Sequence, residues 1–129
     1  MRKTLLFTVI LGLLTIWGCT RKSKSEITFT SISMEEAKGR LETEKGYILV
    51  DVRTPEEYSE GHIPGAINIP NETIADKVPE ELPDKNQLIF VYCRSGRRSK
   101  EASGKLAAMG FSNIVEIGGI IDWKWDIEF

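Results

Sequence analysis

The chain has 129 residues, with seventeen lysines and arginines against nineteen aspartates and glutamates. Its first eighteen residues hold Arg2 and Lys3 and no acid, so beyond them fifteen basic residues face nineteen acidic ones, a net charge of −4 with the single histidine neutral. That balance argues against a general nucleic-acid binder, and the roughly hundred residues beyond the N-terminal segment suffice for one compact domain but not for two.

Met1-Arg2-Lys3 precedes an almost wholly apolar run from Leu5 to Trp17, which ends at Gly18-Cys19. A basic start, an apolar core too short for a comfortable membrane span and a small residue at the break predict a secretory signal peptide over residues 1–18. With Cys19 directly after Ile16-Trp17-Gly18, the segment resembles a bacterial lipoprotein signal. That resemblance implies cleavage before Cys19, lipidation of Cys19 and an exported protein anchored in a membrane, facing the periplasm or the cell exterior. Residues 19–26 then form the lipidated cysteine and a polar tether, Thr20-Arg21-Lys22-Ser23-Lys24-Ser25-Glu26, without apolar groups to fold around. The domain itself is expected over residues 27–129.

Ile27 to Ile32 alternates apolar and polar residues, the pattern of a half-buried strand. Ser33-Met34-Glu35-Glu36 has the form of a capping box and predicts a helix through Leu41 that stops near Gly46. Tyr47-Ile48-Leu49-Val50-Asp51-Val52 is apolar enough for a strand covered on both faces. Thr54 and Pro55 restart a helix at once, as cap and first helical residue, and Glu56 and Glu57 suit the dipole of its first turn. Gly61 to Pro70 reads as a turn and a brief strand, residues 71–77 as a short helix, and residues 79–84, with two prolines, as a loop. Leu88-Ile89-Phe90-Val91-Tyr92 is a second buried strand. After Cys93-Arg94-Ser95-Gly96-Arg97-Arg98, a helix is expected with Ser99 near its start, an apolar row at Ala102, Leu106 and Met109, and a terminal Gly110. Ile114 to Ile117 forms a last strand, and Gly118-Gly119 turns it into a terminal segment with Trp123 and Trp125, two side chains expected to cover the sheet edge or the core. Strands alternating with helices predict an α/β fold with a mostly parallel central sheet, helices on both faces and a site at the carboxyl ends of the strands.

A cysteine at a strand-to-helix junction meets loop amides and a helix N-terminus, and three arginines add positive charge, so the segment from Cys93 to Arg98 predicts an anion site. The same surroundings favour thiolate over thiol. With Cys19 lipidated, Cys93 has no partner in its own chain; an intrachain disulfide is excluded and a lone, exposed thiol is expected. Gly96 is assigned to the backbone turn that aims the amides inward. His62, the only histidine, sits in Gly61-His62-Ile63-Pro64-Gly65-Ala66, which points to fixing a turn rather than to acting as a base. One histidine and one free cysteine argue against a protein-held metal, and no cofactor is implied.

Four blocks, Asp51-Val52-Arg53-Thr54-Pro55-Glu56-Glu57-Tyr58, Gly61 to Ala66, Cys93 to Ser99, and Gly118-Gly119-Ile120 before Trp123, together resemble a single-domain rhodanese over residues 30–125. The resemblance implies a rhodanese-like fold and a sulfurtransferase that carries sulfane sulfur as a persulfide on Cys93. It implies that Asp51 and Arg53 buttress the fold by hydrogen bonding and that Arg98 faces the substrate, with Arg94, Ser95, Gly96 and Arg97 as the rest of the binding loop. The expected partners are an anionic donor such as thiosulfate and a thiol or cyanide acceptor, exchanging sulfur in two half-reactions.

Two other readings fit part of the pattern. A membrane-tethered persulfide carrier would keep the same cysteine and deliver sulfur to a protein acceptor without true turnover. A cysteine phosphatase or arsenate reductase also places a cysteine in an anion loop, but phosphatase loops of that kind put five residues between cysteine and arginine. Here four separate Cys93 from Arg98, Ser99 holds the next place, and Tyr92 rather than histidine precedes the cysteine.

Overall fold

The computed structural model describes residues 28–129; the expected signal peptide, the lipidated Cys19 and the tether lie outside these residues. Its elements are β1 (Thr30–Ser31), α1 (Met34–Thr43), β2 (Tyr47–Asp51), α2 (Pro55–Ser59), β3 (Ile67–Asn68), β4 (Leu88–Cys93), α3 (Arg97–Ala108) and β5 (Ile114–Gly119), with 3-10 turns at Asn71–Thr73 and Ile120–Asp122. All five strands run parallel in the order β1-β5-β4-β2-β3, so β4 lies at the centre.

The apolar run of β4 is buried on both faces, and its period of two sends successive side chains to opposite sides. Ile89, Val91 and Cys93 join Val50, Ala102, Leu106 and Phe111 in one core, under α3. Phe90 and Tyr92 join Leu49, Met34, Ala37 and Ile117 in the other, with α1 and the half-buried Tyr58 of α2. The expected sheet with helices on both faces is therefore present.

Local signals fix several helix starts. Ser33 Oγ accepts the Glu36 amide at 3.1 Å to cap α1, which continues to Thr43, two residues past Leu41. The reciprocal box forms at α2, where Thr54 Oγ1 accepts the Glu57 amide and Glu57 Oε1 accepts the Thr54 amide. Three expectations need correction. Residues 71–77 yield one 3-10 turn, Asn71–Thr73, because Pro70 and Pro79 bracket a segment without an apolar stripe. Helix α3 begins at Arg97, with Ser99 its third residue. Gly118 and Gly119 remain inside β5 instead of turning out of it.

That last difference matters for the loop. Val91 pairs with Glu116 but Cys93 pairs with Gly119, so β5 carries one extra residue between the two contacts. The irregularity of a β-bulge bends the strand and sets Gly119 directly beside Cys93, where β4 ends.

Candidate active site

Cys93 is the last residue of the central strand, and Gly96 sets the path of the chain beyond it. The Gly96 φ of 110° and ψ of −18° lie in the left-handed region that residues with a Cβ avoid. The chain there turns sharply into α3 and folds back over the sulfur. The Gly96 amide donates to Cys93 Sγ at 3.0 Å, and Ser99 Oγ lies 3.5 Å from it. Cys93 is 1% exposed, so the expected exposed thiol is corrected: the loop and Gly119 cover it. Burial opposes ionisation of Cys93, but the Ser99 hydroxyl and the amides of Ser99, Gly96 and Ser95 outweigh it and hold the thiol below its ordinary range.

The three arginines differ in their surroundings. Arg94 is exposed and takes part in no ion pair among the described residues. Arg97 is exposed and pairs with Glu101 one helical turn on, at 2.8 Å, a surface contact of the kind that contributes little. Arg98, half-buried, grips Glu57 through both terminal nitrogens at 2.7 and 3.0 Å. It stands in the first turn of α3, so it is not the last residue of an open loop. Glu57, assigned from sequence to the α2 dipole, is its partner across 41 residues. Glu57 and, more weakly, Cys93 raise the Arg98 guanidinium above its ordinary range.

The reciprocal effect yields a stability test. Arg98 above all, with Thr54 helping, lowers the Glu57 carboxyl from 4.5 to about 2. A depressed folded value means that the stabilisation is fully present above the ordinary carboxylate value and disappears as pH falls from about 4.5 towards about 2. Partial solvent screening limits it to about 1–2 kcal/mol. Urea melts across that window should show the loss in the native protein and a flatter profile in Glu57→Gln; equal slopes would remove the pair from the stability account.

The predicted support residues hold the neighbouring turn. Asp51 is fully buried and Arg53 is 6% exposed. Arg53 Nε and Nη2 reach the Asp51 carboxylate at 2.7–3.1 Å, and Nη2 also donates to the Gly61 carbonyl at 2.7 Å. The carboxylate outweighs burial and raises the Arg53 guanidinium above its ordinary range. His62 stacks on Tyr58 with ring centres 3.8 Å apart, and its Nδ1 lies 3.0 Å from the Tyr58 carbonyl oxygen. Its backbone pairs with Glu128. These contacts tie β2, α2 and the 61–66 turn together. Trp123 is half-buried against the second core, while Trp125 is 37% exposed; both line a cleft of about 550 Å³ beside Lys38 and Tyr47 that includes no residue of the Cys93 loop.

Sequence reasoning passed over Glu116. This β5 residue is 2% exposed and takes hydrogen bonds from Ser31 Oγ at 2.9 Å, Ser99 Oγ at 2.6 Å and the Gly118 amide at 2.8 Å. The available signal was a lone acid within Ile114-Val115-Glu116-Ile117, at a position where an apolar strand has no need of one. Among the described residues no group of three or more histidines, cysteines and acids is arranged to hold a metal.

Comparison with known proteins agrees with this geometry. Residues 33–125 match the model of the rhodanese-like domain. The chain is 41% identical over 73 residues to the thiosulfate sulfurtransferase PspE of Escherichia coli, covering 57% of this chain and 70% of that protein. It is 34% identical over 119 residues to the thiosulfate:glutathione sulfurtransferase of Saccharomyces cerevisiae, covering 82% and 86%. The crystal structure of a rhodanese-like domain protein from Staphylococcus aureus superposes with a TM-score of 0.68 at 35% identity, over 78% of this chain and 98% of that one.

Proposed function

Because the chain belongs to the rhodanese-like domain family of sulfurtransferases, we propose that Cys93 takes the outer sulfur of thiosulfate, or of a related anionic donor, and passes it to cyanide or a thiol. The observation that carries this reading is the hydrogen bond from the Gly96 amide to Cys93 Sγ at 3.0 Å, in a cradle that favours the thiolate. The first half-reaction forms an S–S bond between Cys93 and the outer sulfur and breaks the bond from that sulfur to the sulfite group. Thiolate and dianion enter; persulfide anion and sulfite dianion leave. The amides of Ser95, Gly96 and Ser99 supply fixed dipoles where charge moves during the exchange. Arg94, exposed and outside any ion pair among the described residues, and Arg97, held only by a surface pair, provide the positive rim that draws the donor in. Arg98 contributes charge from a fixed position set by Glu57.

In the second half-reaction the acceptor attacks the outer sulfur and Cys93 leaves as thiolate. Incubation with thiosulfate should add the mass of one sulfur to the peptide carrying Cys93, and cyanide should then remove it as thiocyanate with ping-pong kinetics. No mass gain on Cys93 would refute the proposal. A mass gain without turnover would leave the persulfide and point to a carrier that delivers sulfur to a protein acceptor.

A further inference from the structure

The sulfur exchange makes no use of Glu116, yet this carboxyl group lies beneath the loop that performs it. It is 2% exposed, and its hydrogen bonds come from neutral donors, Ser31 Oγ, Ser99 Oγ and the Gly118 amide. Among the described residues no lysine, arginine or histidine pairs with it. A buried carboxylate is ordinarily matched by a cation, so the lack of one here calls for another use of its charge.

Ser99 links the carboxyl to the nucleophile. Its Oγ lies 2.6 Å from Glu116 Oε1, 3.5 Å from Cys93 Sγ and 2.9 Å from the Gly96 carbonyl oxygen. A hydroxyl has one hydrogen to donate. With Glu116 ionised and Cys93 a thiol, Ser99 donates to Glu116 and accepts from the S–H. Once the sulfur is a thiolate, Ser99 can donate to it only by releasing Glu116. Two oxygens at 2.6 Å then need a hydrogen between them, and only Glu116 can supply it. Both arrangements use the same heavy-atom positions and carry the same net charge.

We propose that Glu116 is the internal acceptor of the Cys93 proton, reached through the Ser99 hydroxyl. The S–H bond breaks as a new Ser99 O–H forms, and the former Ser99 O–H breaks as Glu116 Oε1 takes its hydrogen. Negative charge thereby moves from carboxylate to sulfur without exchange with solvent. The inference rests on Cys93 being the sulfur-carrying nucleophile. While Cys93 holds the persulfide, the proton stays on Glu116; when the acceptor removes the sulfur, the thiolate returns and can recover it. Glu116 touches neither donor nor acceptor, so it is a positioning residue for the proton.

The groups around Glu116 leave the exchange confined to this pair. Ser31 faces it from β1, Ser99 from α3 and the Cys93 thiol, through Ser99, from β4. Gly96 presents no side chain, and a Cβ there would lie 4.0 Å from Oε1. Glu35 of α1, with Asp122 and Lys124 beyond β5, lines a cleft that includes Gly118; none of the three hydrogen-bonds to Glu116.

Thiolate absorbance of the full chain, titrated against pH and corrected by the Cys93→Ser variant to remove Cys19, tests the exchange. Two groups sharing one charge titrate as a pair. The wild type should therefore show a partial rise, a plateau over which the thiolate fraction is independent of pH, and a second rise. Glu116→Gln keeps the shape and an oxygen for Ser99 but cannot hold the proton. Its curve should collapse to one step, and persulfide formation on the plateau should slow by roughly 10²-fold or more. Ser99→Ala keeps both ends and so the coupled equilibrium but cuts the path; its titration should stay in two steps while persulfide formation on the plateau slows, and this rate decides the matter if Glu116→Gln fails to fold. A single step in the wild type, two steps in Glu116→Gln, or persulfide formation at the native rate in Ser99→Ala overturns the proposal. The titration needs no sulfur donor: a wild type that takes no sulfur from thiosulfate refutes the function proposed above, whereas persulfide formation with a one-step titration refutes the proton exchange alone.

Discussion

Cys93→Ser should abolish sulfur transfer, lowering thiocyanate formation from thiosulfate and cyanide by roughly 10⁴-fold or more, the scale seen when a covalent nucleophile is removed. The serine hydroxyl fits the space and can accept the Gly96 amide, so the cradle should persist and the fold should lose no more than about 1 kcal/mol. What disappears is the ionised sulfur: a hydroxyl stays protonated under the dipoles that suffice for a thiol, and oxygen forms no stable counterpart of the persulfide. Mass spectrometry should find no added sulfur at residue 93 in a variant whose thermal melt resembles that of the native protein. Retained turnover in that variant would show that Cys93 is not the nucleophile. Because Cys19 is the other cysteine in the chain, the location of any sulfur in the variant tells a second acceptor from residual chemistry at position 93.

Much of this arrangement is readable in the chain. The run from Leu88 to Tyr92 is apolar on both faces because both faces are covered, and Thr54-Pro55 marks a helix start through the chemistry of its own first turn. Cys93, Gly96 and the Asp51–Arg53 buttress were likewise placed by local pattern and resemblance. What escaped has a common physical origin in contacts between residues distant in sequence. Glu57 looks like an acid at a helix N-terminus until α3 brings Arg98 to it from 41 residues away. Ser99 marks the expected start of the helix, yet Gly96 makes the turn through its left-handed backbone, so Arg97 and Arg98 belong to the helix. Among the described residues of the alternating segment from Ile27 to Ile32, Thr30 and Ser31 alone join the sheet, because those two meet Val115 and Glu116 of β5. Glu116 itself becomes meaningful only once Ser31, Ser99 and Gly118 surround it.

The paired glycines show most clearly what sequence alone conceals, and Gly119→Ala should expose it. Gly118-Gly119 reads as a turn, but the slip between β4 and β5 places Gly119 opposite Cys93. A Cβ at Gly119 would stand 2.1 Å from the Arg94 carbonyl oxygen, 2.5 Å from the Arg94 carbonyl carbon and 2.6 Å from the Ser95 Cα. These are backbone atoms, so no side-chain rotation relieves the clash and the loop itself must move. Overpacking of this kind costs about 1–3 kcal/mol. The larger effect should fall on chemistry: displacing Arg94 and Ser95 by about 1 Å spoils the convergence of amides on Cys93, and misplacement on that scale lowers kcat/KM by roughly 10²-fold. With those amides withdrawn, burial is left less opposed, and the Cys93 titration should move upward. Gly46→Ala is the control for a stability loss without a clash: Gly46 has a positive φ, 70°, and open space where a Cβ would stand, whereas Gly119 is extended at φ −121°. The control should lose about 1–2 kcal/mol from backbone strain and keep its activity. Wild-type kcat/KM in Gly119→Ala would mean that the loop geometry does not set the reactivity of Cys93, whereas a stability loss like that of Gly46→Ala joined to a hundredfold loss of turnover would identify Gly119 as the residue that lets the loop close over the sulfur.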